Sequence, residues 1–418
     1  MSLQDLRIDW VAPPFAGHLF PMLRLAEGLR AAGFEDQRVH TTPCMESIVA
    51  GAGLEFCPLL ADRESAILEV AAAGGSRVGL RPLSLLGQFR ECLDFLGELG
   101  EALDGRWSKD APDLVIADSV LPTAGLAANR AGARWWTSMA AVSPTETRRG
   151  TPSYLGGWRS VDSRAYRLRD AAGRAVIRGF KRTAALLFRG RLRAMGVDGI
   201  YRADGTETCY SDDVILGLGS RAFEFERDWP AAMRFVGYPV GTMVGSDAAP
   251  PVEPGRPHLL VTLGTHLQWA RKDALEHAQG LARRLEGWTI HLSHGDPEGQ
   301  VLRVRGNLTE VSWVPYDESL RHYAVICHHG GAGINYAALA AGIPALVWPR
   351  DFDQFDNAAR LIALGAGLGA KGEAEADAAA IRQLHGDPSF QAAAERLGQE
   401  VRSAAPVDQL LRLLGDSF

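Results

Sequence analysis

Residues 324–360 read AVICHHGGAGINYAALAAGIPALVWPRDFDQFDNAAR. The apolar run at the start of this stretch predicts a strand, the glycines of 330–333 predict a turn, and a helix is expected to begin near Ile334. Glycines at such a junction let the backbone approach a ligand closely. Because a helix N-terminus carries free N–H groups and a partial positive charge, the turn is suited to bind a phosphate, with His329 as a further donor.

A second strand–turn–helix pattern follows within the same stretch. Gly342-Ile343-Pro344 precedes an apolar run at 345–348, and Pro349 begins the turn after it. A carboxylate beside an amide, here Asp353 and Gln354, places hydrogen-bond acceptors and donors on one turn, which suits a hydroxyl-rich ligand. Each pattern alone would fit a tight turn or a surface loop. On consecutive strand–helix loops, the two together predict a ligand-binding site.

The alternation of short apolar runs with helical patterns extends through both halves of the 418-residue chain. Short runs separated by helices predict parallel sheets built from strand–helix–strand units. The predicted strands lie at 6–11, 38–42 and 113–117 in the first half and at 259–263, 288–292, 309–313, 324–327 and 345–348 in the second.

A linker is predicted between the two halves. Residues 241–257 read GTMVGSDAAPPVEPGRP, which is rich in Gly, Pro and Ser and has no periodicity. We therefore expect an α/β protein with two doubly wound, Rossmann-like domains at 1–240 and 258–418 and the last helix free to return to the N-terminal domain. Ligands of such sheets bind at the carboxyl ends of the strands, which here would face each other across a cleft.

Composition and charge narrow the class of protein. With 44 Lys and Arg against 50 Asp and Glu, the formal net charge is −6, which argues against a globally basic nucleic-acid binder. The five cysteines lack CxxC spacing, which argues against disulfides and a zinc site and favours a reducing compartment. Neither a signal peptide nor a long apolar run is recognisable, so a cytoplasmic protein is expected.

One segment is unusually rich in arginine. Arginines are dense between Arg148 and Arg202, and apolar residues such as Val176, Phe180 and Leu186 lie among them. This pattern fits amphipathic helices. One interpretation is a helix whose charged face is solvated. The other is a lid that contacts an acceptor molecule or, weakly, a membrane surface.

The first predicted strand leads into a second group of candidate residues. Residues 14–21 read PFAGHLFP, and helical periodicity begins after them. His18 is expected at a helix N-terminus on the cleft side, where the helix dipole disfavours the imidazolium and favours a neutral base. Asp118 closes the apolar strand at 113–117 and is expected at the same edge. As alternatives, His18 could be a capping or core histidine, and Asp118 could be the N-cap of the following helix.

Together these stretches resemble the GT-B glycosyltransferases, in the superfamily of UDP-glycosyltransferases and bacterial antibiotic glycosyltransferases. The resemblance rests on HGG-x-G at 329–333, G-x-P at 342–344 and P-x3-DQ-x2-NA at 349–358. Further matches to motifs of this superfamily are Gly17-His18, Phe235–Pro239, Leu263-Gly264-Thr265 and Trp313-Val314-Pro315. Within the superfamily, the chain looks closest to the branch that includes the rhamnolipid rhamnosyltransferases.

The resemblance implies an inverting transfer of a hexose or deoxyhexose from a nucleotide-diphosphate sugar to a hydroxyl of a hydrophobic small molecule or lipid. The N-terminal domain would bind the acceptor and the C-terminal domain the donor. His18, oriented by Asp118, would take the acceptor proton, and no metal or other cofactor would be required. The residues implied in donor binding are Gly264, Thr265, Trp313 (stacked on the base), His329, Gly330, Gly331, Gly333, Ile334, Asn335, Asp353 and Gln354.

Three positions depart from the family pattern. Tyr316 stands where Gln is frequent after W-x-P, and Ile334 stands where a Ser or Thr hydroxyl would meet the phosphate. Ala337 stands where users of UDP-sugars place a Glu for the ribose hydroxyls. Because thymidine nucleotides lack the 2′-hydroxyl, Ala337 favours a dTDP-sugar over a UDP-sugar as the donor.

Two other functions stay open on the sequence alone. A GT-B nucleotide-sugar epimerase or hydrolase would share the fold and the phosphate turn, and a non-catalytic auxiliary protein could partner an active transferase. Retention of His18 and the glycine turn argues against the auxiliary protein, and the Asp353-Gln354 pair argues for transfer. The sequence does not determine the acceptor, the sugar or the oligomeric state.

Overall fold

The computed structural model describes residues 3–72, 82–241, 250, 252–265, 267–296, 299–351 and 353–418, so much of the predicted linker at 241–257 lies outside the described residues. The first half contains β1 (Ile8–Val11), α1 (Ala16–Ala31), β2 (Gln37–Thr41), α2 (Glu46–Gly51), β3 (Glu55–Pro58), α3 (Glu64–Ala72), α4 (Pro82–Trp107), β4 (Leu114–Asp118), α5 (Pro122–Ala131), β5 (Arg134–Met139), α6 (Arg164–Leu187), α7 (Arg189–Ala194), β6 (Val214–Gly217) and β7 (Met233–Phe235).

The second half repeats the alternation and ends in three helices. It contains β8 (His258–Thr262), α8 (Arg271–Ala282), β9 (Thr289–Ser293), β10 (Leu302–Arg305), β11 (Leu308–Val311), α9 (Tyr316–Ser319), β12 (Val325–His328), α10 (Ala332–Ala340), β13 (Ala345–Val347), α11 (Gln354–Ala363), β14 (Gly367–Gly369), α12 (Ala374–Gly386), α13 (Pro388–Ser403) and α14 (Pro406–Ser417). None of the helices in the described part of the chain combines the length and apolar character that a membrane span requires.

Each half forms one seven-stranded sheet, which confirms the predicted α/β fold class. The first sheet has the order β3-β2-β1-β4-β5-β6-β7, and every neighbouring pair is parallel. The second has the order β10-β11-β9-β8-β12-β13-β14, in which only the β10–β11 hairpin is antiparallel. The strand order reverses between β1 and β4 and between β8 and β12, so ligands are expected at these two places.

Several strands were not predicted from the sequence. The edge strand β14 has three residues, and β10 is exposed along its whole length, so neither forms a buried apolar run. In β5, Arg134, Thr137 and Ser138 interrupt the apolar pattern. The predicted strand at 6–11 begins two residues later, at Ile8.

A buried ionic network explains how β1 accommodates a charge. Asp9 is fully buried and accepts hydrogen bonds from Arg38 Nε (2.7 Å), His40 Nε2 (2.7 Å) and Trp107 Nε1 (2.7 Å). Burial alone would raise the pKa of Asp9, but the hydrogen bonds from His40 and Arg38 lower it below its ordinary value. The carboxylate therefore joins β1, β2 and α4 through satisfied hydrogen bonds rather than weakening the strand.

The hydrophobic core joins the two halves. One cluster of buried side chains extends from α1 and β1 through Tyr336 of α10 to Leu410 and Leu414 of α14. Helix α14 lies against α1 closely enough that a Cβ on Gly28 would come within 2.3 Å of Val407 Cγ2. The last helix therefore packs on the N-terminal domain.

Candidate active site

His18 and Asp118 meet where the first sheet changes direction. His18 lies in the first turn of α1, directly after β1, and Asp118 is the last residue of β4. The His18 Nδ1 atom lies 2.9 Å from Asp118 Oδ2. The other carboxylate oxygen of Asp118 accepts the backbone N–H of Val120 at 3.0 Å. Since Leu121 is the N-cap of α5, Asp118 holds the turn before that helix but does not cap it.

The electrostatic environment of His18 differs from the sequence-based expectation. Burial lowers the pKa of this imidazole, but the carboxylates of Asp118 and Asp353 raise it above its ordinary value. The expectation that the surroundings of His18 favour the neutral imidazole is therefore wrong in direction, because the two carboxylates outweigh the effect of burial. A neutral imidazole that donates from Nδ1 to Asp118 carries its lone pair on Nε2, so Nε2 is the atom that can accept a proton.

The glycine turn after β12 is built around two histidines. Gly330 has φ +92°, and Gly331 is the N-cap of α10. The backbone N–H of Gly330 donates to His328 Nδ1 at 3.0 Å. Burial lowers the pKa of His328 to about 3, so this side chain stays neutral and fixes the turn. The neighbouring His329 imidazole fills the space beside Gly331, where a Cβ would lie 2.4 Å from Nε2.

The turn after β8 meets the same imidazole. Gly264 has φ +69°, and a Cβ there would lie 2.8 Å from His329 Cε1. Thr262 Oγ1 accepts the N–H of Gly264 at 3.2 Å, and Thr265 follows as a half-buried residue. The structure thus brings the turns after β8 and β12 together on either side of His329, at the second reversal of strand order.

The first residues of α10 stabilise the glycine turn by packing and hydrogen bonding. Ile334 is buried in an apolar cluster with Leu260 and Val314, so at this position the backbone alone faces the turn. Asn335 is 1% exposed, and its Nδ2 donates to the Gly330 carbonyl at 2.9 Å. Gly333 lies against Tyr238, whose hydroxyl would be 3.3 Å from a Cβ.

Two aromatic rings lie near the turn after β8. Trp313 is 8% exposed, and its ring lies nearly parallel to that of Tyr316, with 6.1 Å between the centroids. The Tyr316 phenol, whose pKa is raised by burial, is hydrogen-bonded to Thr262. Tyr316 is thereby linked to the backbone of Gly264 through one threonine hydroxyl.

Asp353 and Gln354 lie in the turn before α11, and their side chains form different hydrogen bonds. Asp353 is the N-cap residue, and its Oδ2 accepts from Asn357 Nδ2 at 3.1 Å. Burial raises the pKa of Asp353, and the nearby His18 opposes that shift. The Gln354 Oε1 atom accepts the N–H groups of Arg350 (2.9 Å) and Asp351 (3.0 Å). Gln354 therefore holds the turn with its carbonyl oxygen, and its NH₂ group is what remains for a ligand.

The two domains are joined directly beside this turn. The backbone N–H of Tyr154 donates to Asp356 Oδ2 at 2.8 Å. Arg360, 1% exposed, forms a 2.7 Å ion pair with Glu224, and its guanidinium lies over the Phe225 ring. Helix α11 thus carries Asp353 at its start and contacts N-terminal segments along its next turns.

Comparisons with known proteins agree with this geometry. The solved glycotransferase of kitacinnamycin superposes with a TM-score of 0.76 at 21% identity, covering 98% of this chain and 99% of that one. The glycosyltransferase VinC, solved in complex with dTDP, superposes with a TM-score of 0.65 at 20% identity over 98% and 100%. These likenesses establish the shared fold.

Comparison of the sequences also indicates the activity. The family model described as erythromycin biosynthesis protein CIII-like, C-terminal domain, matches residues 289–411. An elloramycin glycosyltransferase of Streptomyces olivaceus is 29% identical over 98% of this chain and 97% of its own length. The chain is a glycosyltransferase of GT-B fold, similar to the bacterial antibiotic glycosyltransferases. An O-mycaminosyltylonolide 6-deoxyallosyltransferase of Streptomyces fradiae, 26% identical over the same shares, is a further relative of this glycosyltransferase. The predicted resemblance is confirmed, and the epimerase and auxiliary alternatives are not favoured.

Some residues of this glycosyltransferase site were missed by sequence reasoning. His328 lies next to the HGG motif and Asp356 lies within the DQ-x2-NA motif, so both could have been considered from their position. Tyr154 and Glu224 lie in no recognised motif, and only the fold brings them to α11. Within the described residues, no group of three or more His, Cys, Asp or Glu side chains is placed to hold a metal ion.

Proposed function

We propose that this glycosyltransferase moves a hexose or deoxyhexose from a dTDP-sugar to a hydroxyl group of a hydrophobic small molecule, with inversion at the anomeric carbon. The observation that carries the proposal is the His18–Asp118 pair, in which Nδ1 lies 2.9 Å from Oδ2. The negative charge of Asp353, in the other domain, also acts on the His18 imidazole and raises its pKa. A base and a hydroxyl-binding carboxylate that face each other across a cleft are suited to join two substrates, one from each domain.

In the proposed reaction, His18 activates the acceptor. Nε2 takes the hydroxyl proton while the acceptor oxygen forms a bond to the anomeric carbon, and the bond from that carbon to the diphosphate oxygen breaks. Asp118 fixes the tautomer through Nδ1 and stabilises the imidazolium as it forms. The raised pKa of His18 fits this role, because a stronger base takes the proton more readily once it is deprotonated.

The leaving diphosphate needs stabilisation of its developing negative charge. The N-terminus of α10, beginning at Ala332, offers free backbone N–H groups and a partial positive charge. His329, held between the Gly264 and Gly331 turns, is placed to donate a further hydrogen bond. Such preorganised donors can act without a metal, so we propose a metal-independent transfer in which excess EDTA leaves turnover unchanged.

The choice of nucleotide is supported by one residue and by the relatives. Ala337 is 7% exposed within an apolar cluster, so it offers no carboxylate to a ribose 2′-hydroxyl. VinC was solved with dTDP, and a spinosyn rhamnosyltransferase was solved with thymidine diphosphate. A relative from Streptomyces niveus is named an L-demethylnoviosyl transferase, and the S. fradiae relative is named a 6-deoxyallosyltransferase. These names support a deoxysugar as the transferred group.

The test begins with nucleotide binding and ends with product formation. Thermal unfolding with dTDP, UDP, GDP and ADP ranks the nucleotides, since a ligand that binds the folded state raises the midpoint. The preferred sugar donor is then incubated with a panel of hydrophobic hydroxylated acceptors, and products are identified by mass spectrometry and anomeric NMR couplings. Hydrolysis of the donor in every reaction without a glycosylated acceptor, or retention at the anomeric carbon, would contradict the proposal.

A further inference from the structure

Helix α6 presents an apolar stripe to the outside of the protein. Its large exposed side chains are Leu168 (74%), Val176 (64%), Phe180 (48%), Leu186 (68%) and Leu187 (63%). At about 100° per residue these positions fall within an arc of about 120° on the helix. A single soluble domain seldom leaves so continuous an apolar row exposed, so the stripe calls for a partner.

Polar contacts on the opposite, inner face of α6 keep the apolar stripe turned outward. Asp170 is buried and accepts a hydrogen bond from Thr151 Oγ1 at 2.9 Å. Lys181 contacts the carboxylates of Glu146 (2.8 Å) and Glu207 (2.5 Å). Because these polar anchors hold the inner face, rotating the helix to bury the stripe would break a buried hydrogen bond and two partly buried ion pairs.

Arginine inside the arc does not interrupt the stripe. Arg169 falls within the arc, but its guanidinium binds the Asp170 carboxylate and lies over the rings of Trp158 (4.6 Å) and Tyr166 (4.5 Å). Its charge is therefore compensated within the protein, and the neighbouring apolar side chains remain continuous.

The segment that carries the stripe also carries positive charge without acidic partners. Residues 159–193 contain ten arginines and one lysine against two aspartates, a local surplus of nine positive charges in a chain whose net charge is −6. Within the described ranges, several exposed arginines of this segment form no ion pair with an acidic side chain; they are Arg159, Arg164, Arg182, Arg189 and Arg193. A partner that covers this surface must therefore have both an apolar region and negative charge.

We propose that α6 and α7 form a docking surface for an anionic lipid bilayer. An amphipathic helix with an apolar stripe and a margin of arginines is the arrangement that lies in the interface between headgroups and acyl chains. The attraction is electrostatic in part, so it weakens as salt screens the phosphates. This proposal is independent of the donor and of the transfer step.

Docking on this face would bring the bilayer near the acceptor side of the cleft. The inner face of α6 packs on the 151–158 loop through Thr151, and a Cβ on Gly173 would touch Leu155, Trp158 and Pro152. The same loop carries Tyr154, whose backbone N–H donates to Asp356. Asp356 lies beside the turn of Asp353 and Gln354, which we propose holds the sugar. A hydrophobic acceptor dissolved in the bilayer would thus be concentrated where the N-terminal domain receives it.

The experiment is co-sedimentation of the purified 418-residue chain with vesicles of phosphatidylcholine alone or mixed with phosphatidylglycerol. We expect binding to the anionic vesicles about tenfold stronger than to the neutral ones, and a steep loss of binding as salt rises. The double variant Val176→Ser/Leu186→Ser removes stripe residues that are 64% and 68% exposed. The matched control Leu302→Ser/Val304→Ser removes residues that are 65% and 66% exposed on β10.

Each outcome of the vesicle experiment either supports or contradicts the proposal. It is supported if the stripe variant loses anionic-vesicle binding about tenfold while the β10 control keeps it, with dTDP-induced stabilisation equal in both. It is overturned if wild type fails to bind anionic vesicles or if both variants bind alike. It is also overturned if light scattering finds a dimer that the stripe variant dissociates, since a second copy would then cover the face.

Discussion

The backbone N–H of Tyr154 in the N-terminal domain donates to the carboxylate of Asp356 in the C-terminal domain, at 2.8 Å. Tyr154 has φ +61°, a left-handed conformation that costs a non-glycine residue about 1–2 kcal/mol. The surrounding structure must therefore hold it there. Since Asp356 lies one helical turn after Asp353, the loop of the acceptor domain is tied to the turn that we propose holds the sugar.

Replacing Asp356 tests this contact. Asp356→Ala removes the acceptor of the Tyr154 N–H, at a cost of roughly 1 kcal/mol, so we expect the acceptor KM to rise about fivefold. Asp356→Asn retains a carbonyl oxygen and should show the smaller effect. Steady-state kinetics with both substrates varied give the values. Equal changes in the KM of donor and acceptor would mean that the contact stabilises α11 as a whole.

Removing the proposed base should affect turnover and leave binding intact. His18→Ala is expected to lower kcat by about 10²–10⁴-fold, the range for loss of one general base. The affinity for dTDP, measured by calorimetry, should change little, because the diphosphate site that we propose lies in the other domain. Turnover within a few-fold of wild type would exclude His18 as the base.

The pH dependence of turnover reports on Asp118. The base is active when deprotonated, and the pKa of His18 is raised, so kcat/KM should fall with decreasing pH from a point above the ordinary histidine value. Asp118→Asn removes a carboxylate that raises this pKa, so the acidic limb should move to lower pH while the maximal rate drops. An unmoved limb would assign the titration to another group.

Steric change at Gly331 tests the position of the diphosphate. Its φ is −63°, so alanine meets no conformational penalty there, but the new Cβ would lie 2.4 Å from His329 Nε2. Because Gly264 confines the ring from the other side, we expect dTDP affinity to fall about tenfold or more. Gly105→Ala, where a Cβ meets nothing within 4 Å, is the control. Undiminished affinity in Gly331→Ala would place the nucleotide elsewhere.

We expect the nucleotide preference to follow from Ala337, which is buried. With the ribose placed beside it, as we propose, the 2′-hydroxyl of UDP would gain no carboxylate contact and would lose water without compensation. We therefore expect dTDP to bind at least as tightly as UDP in calorimetric titrations, with GDP and ADP as controls for base recognition. A strong preference for UDP would mean that another residue binds the 2′-hydroxyl.

The places of the candidate residues were predictable where they lie at strand ends. Asp118 ends a buried parallel strand, and His18, Gly264 and His329 each follow one. Such strands gather their carboxyl ends at one edge of the sheet, so the topology alone brings these residues to the cleft. The two α/β halves were predictable for the same reason, since buried strands form continuous apolar runs.

Contacts between distant segments were not predictable from single motifs. Tyr154 and Asp356 are brought together only by the relative placement of the two domains, and no local pattern encodes it. The pKa of His18 was misjudged for a related reason. The helix dipole is a local property of α1, whereas Asp118 and Asp353 act on the imidazole from distant parts of the chain. The partners of Asp9 in β1 were not predictable either, because Arg38, His40 and Trp107 are not its neighbours in sequence.

The packing of α14 on α1 has a consequence for biosynthesis of the chain. Leu410 and Leu414 complete the cluster that contains Leu19 and Leu25, and Val407 fills the space beside Gly28. A ribosome makes α1 long before it makes α14, so the part of α1 that α14 covers stays exposed until the end of the chain has been synthesised. The N-terminal domain therefore reaches its final packing only after the last helix has been made.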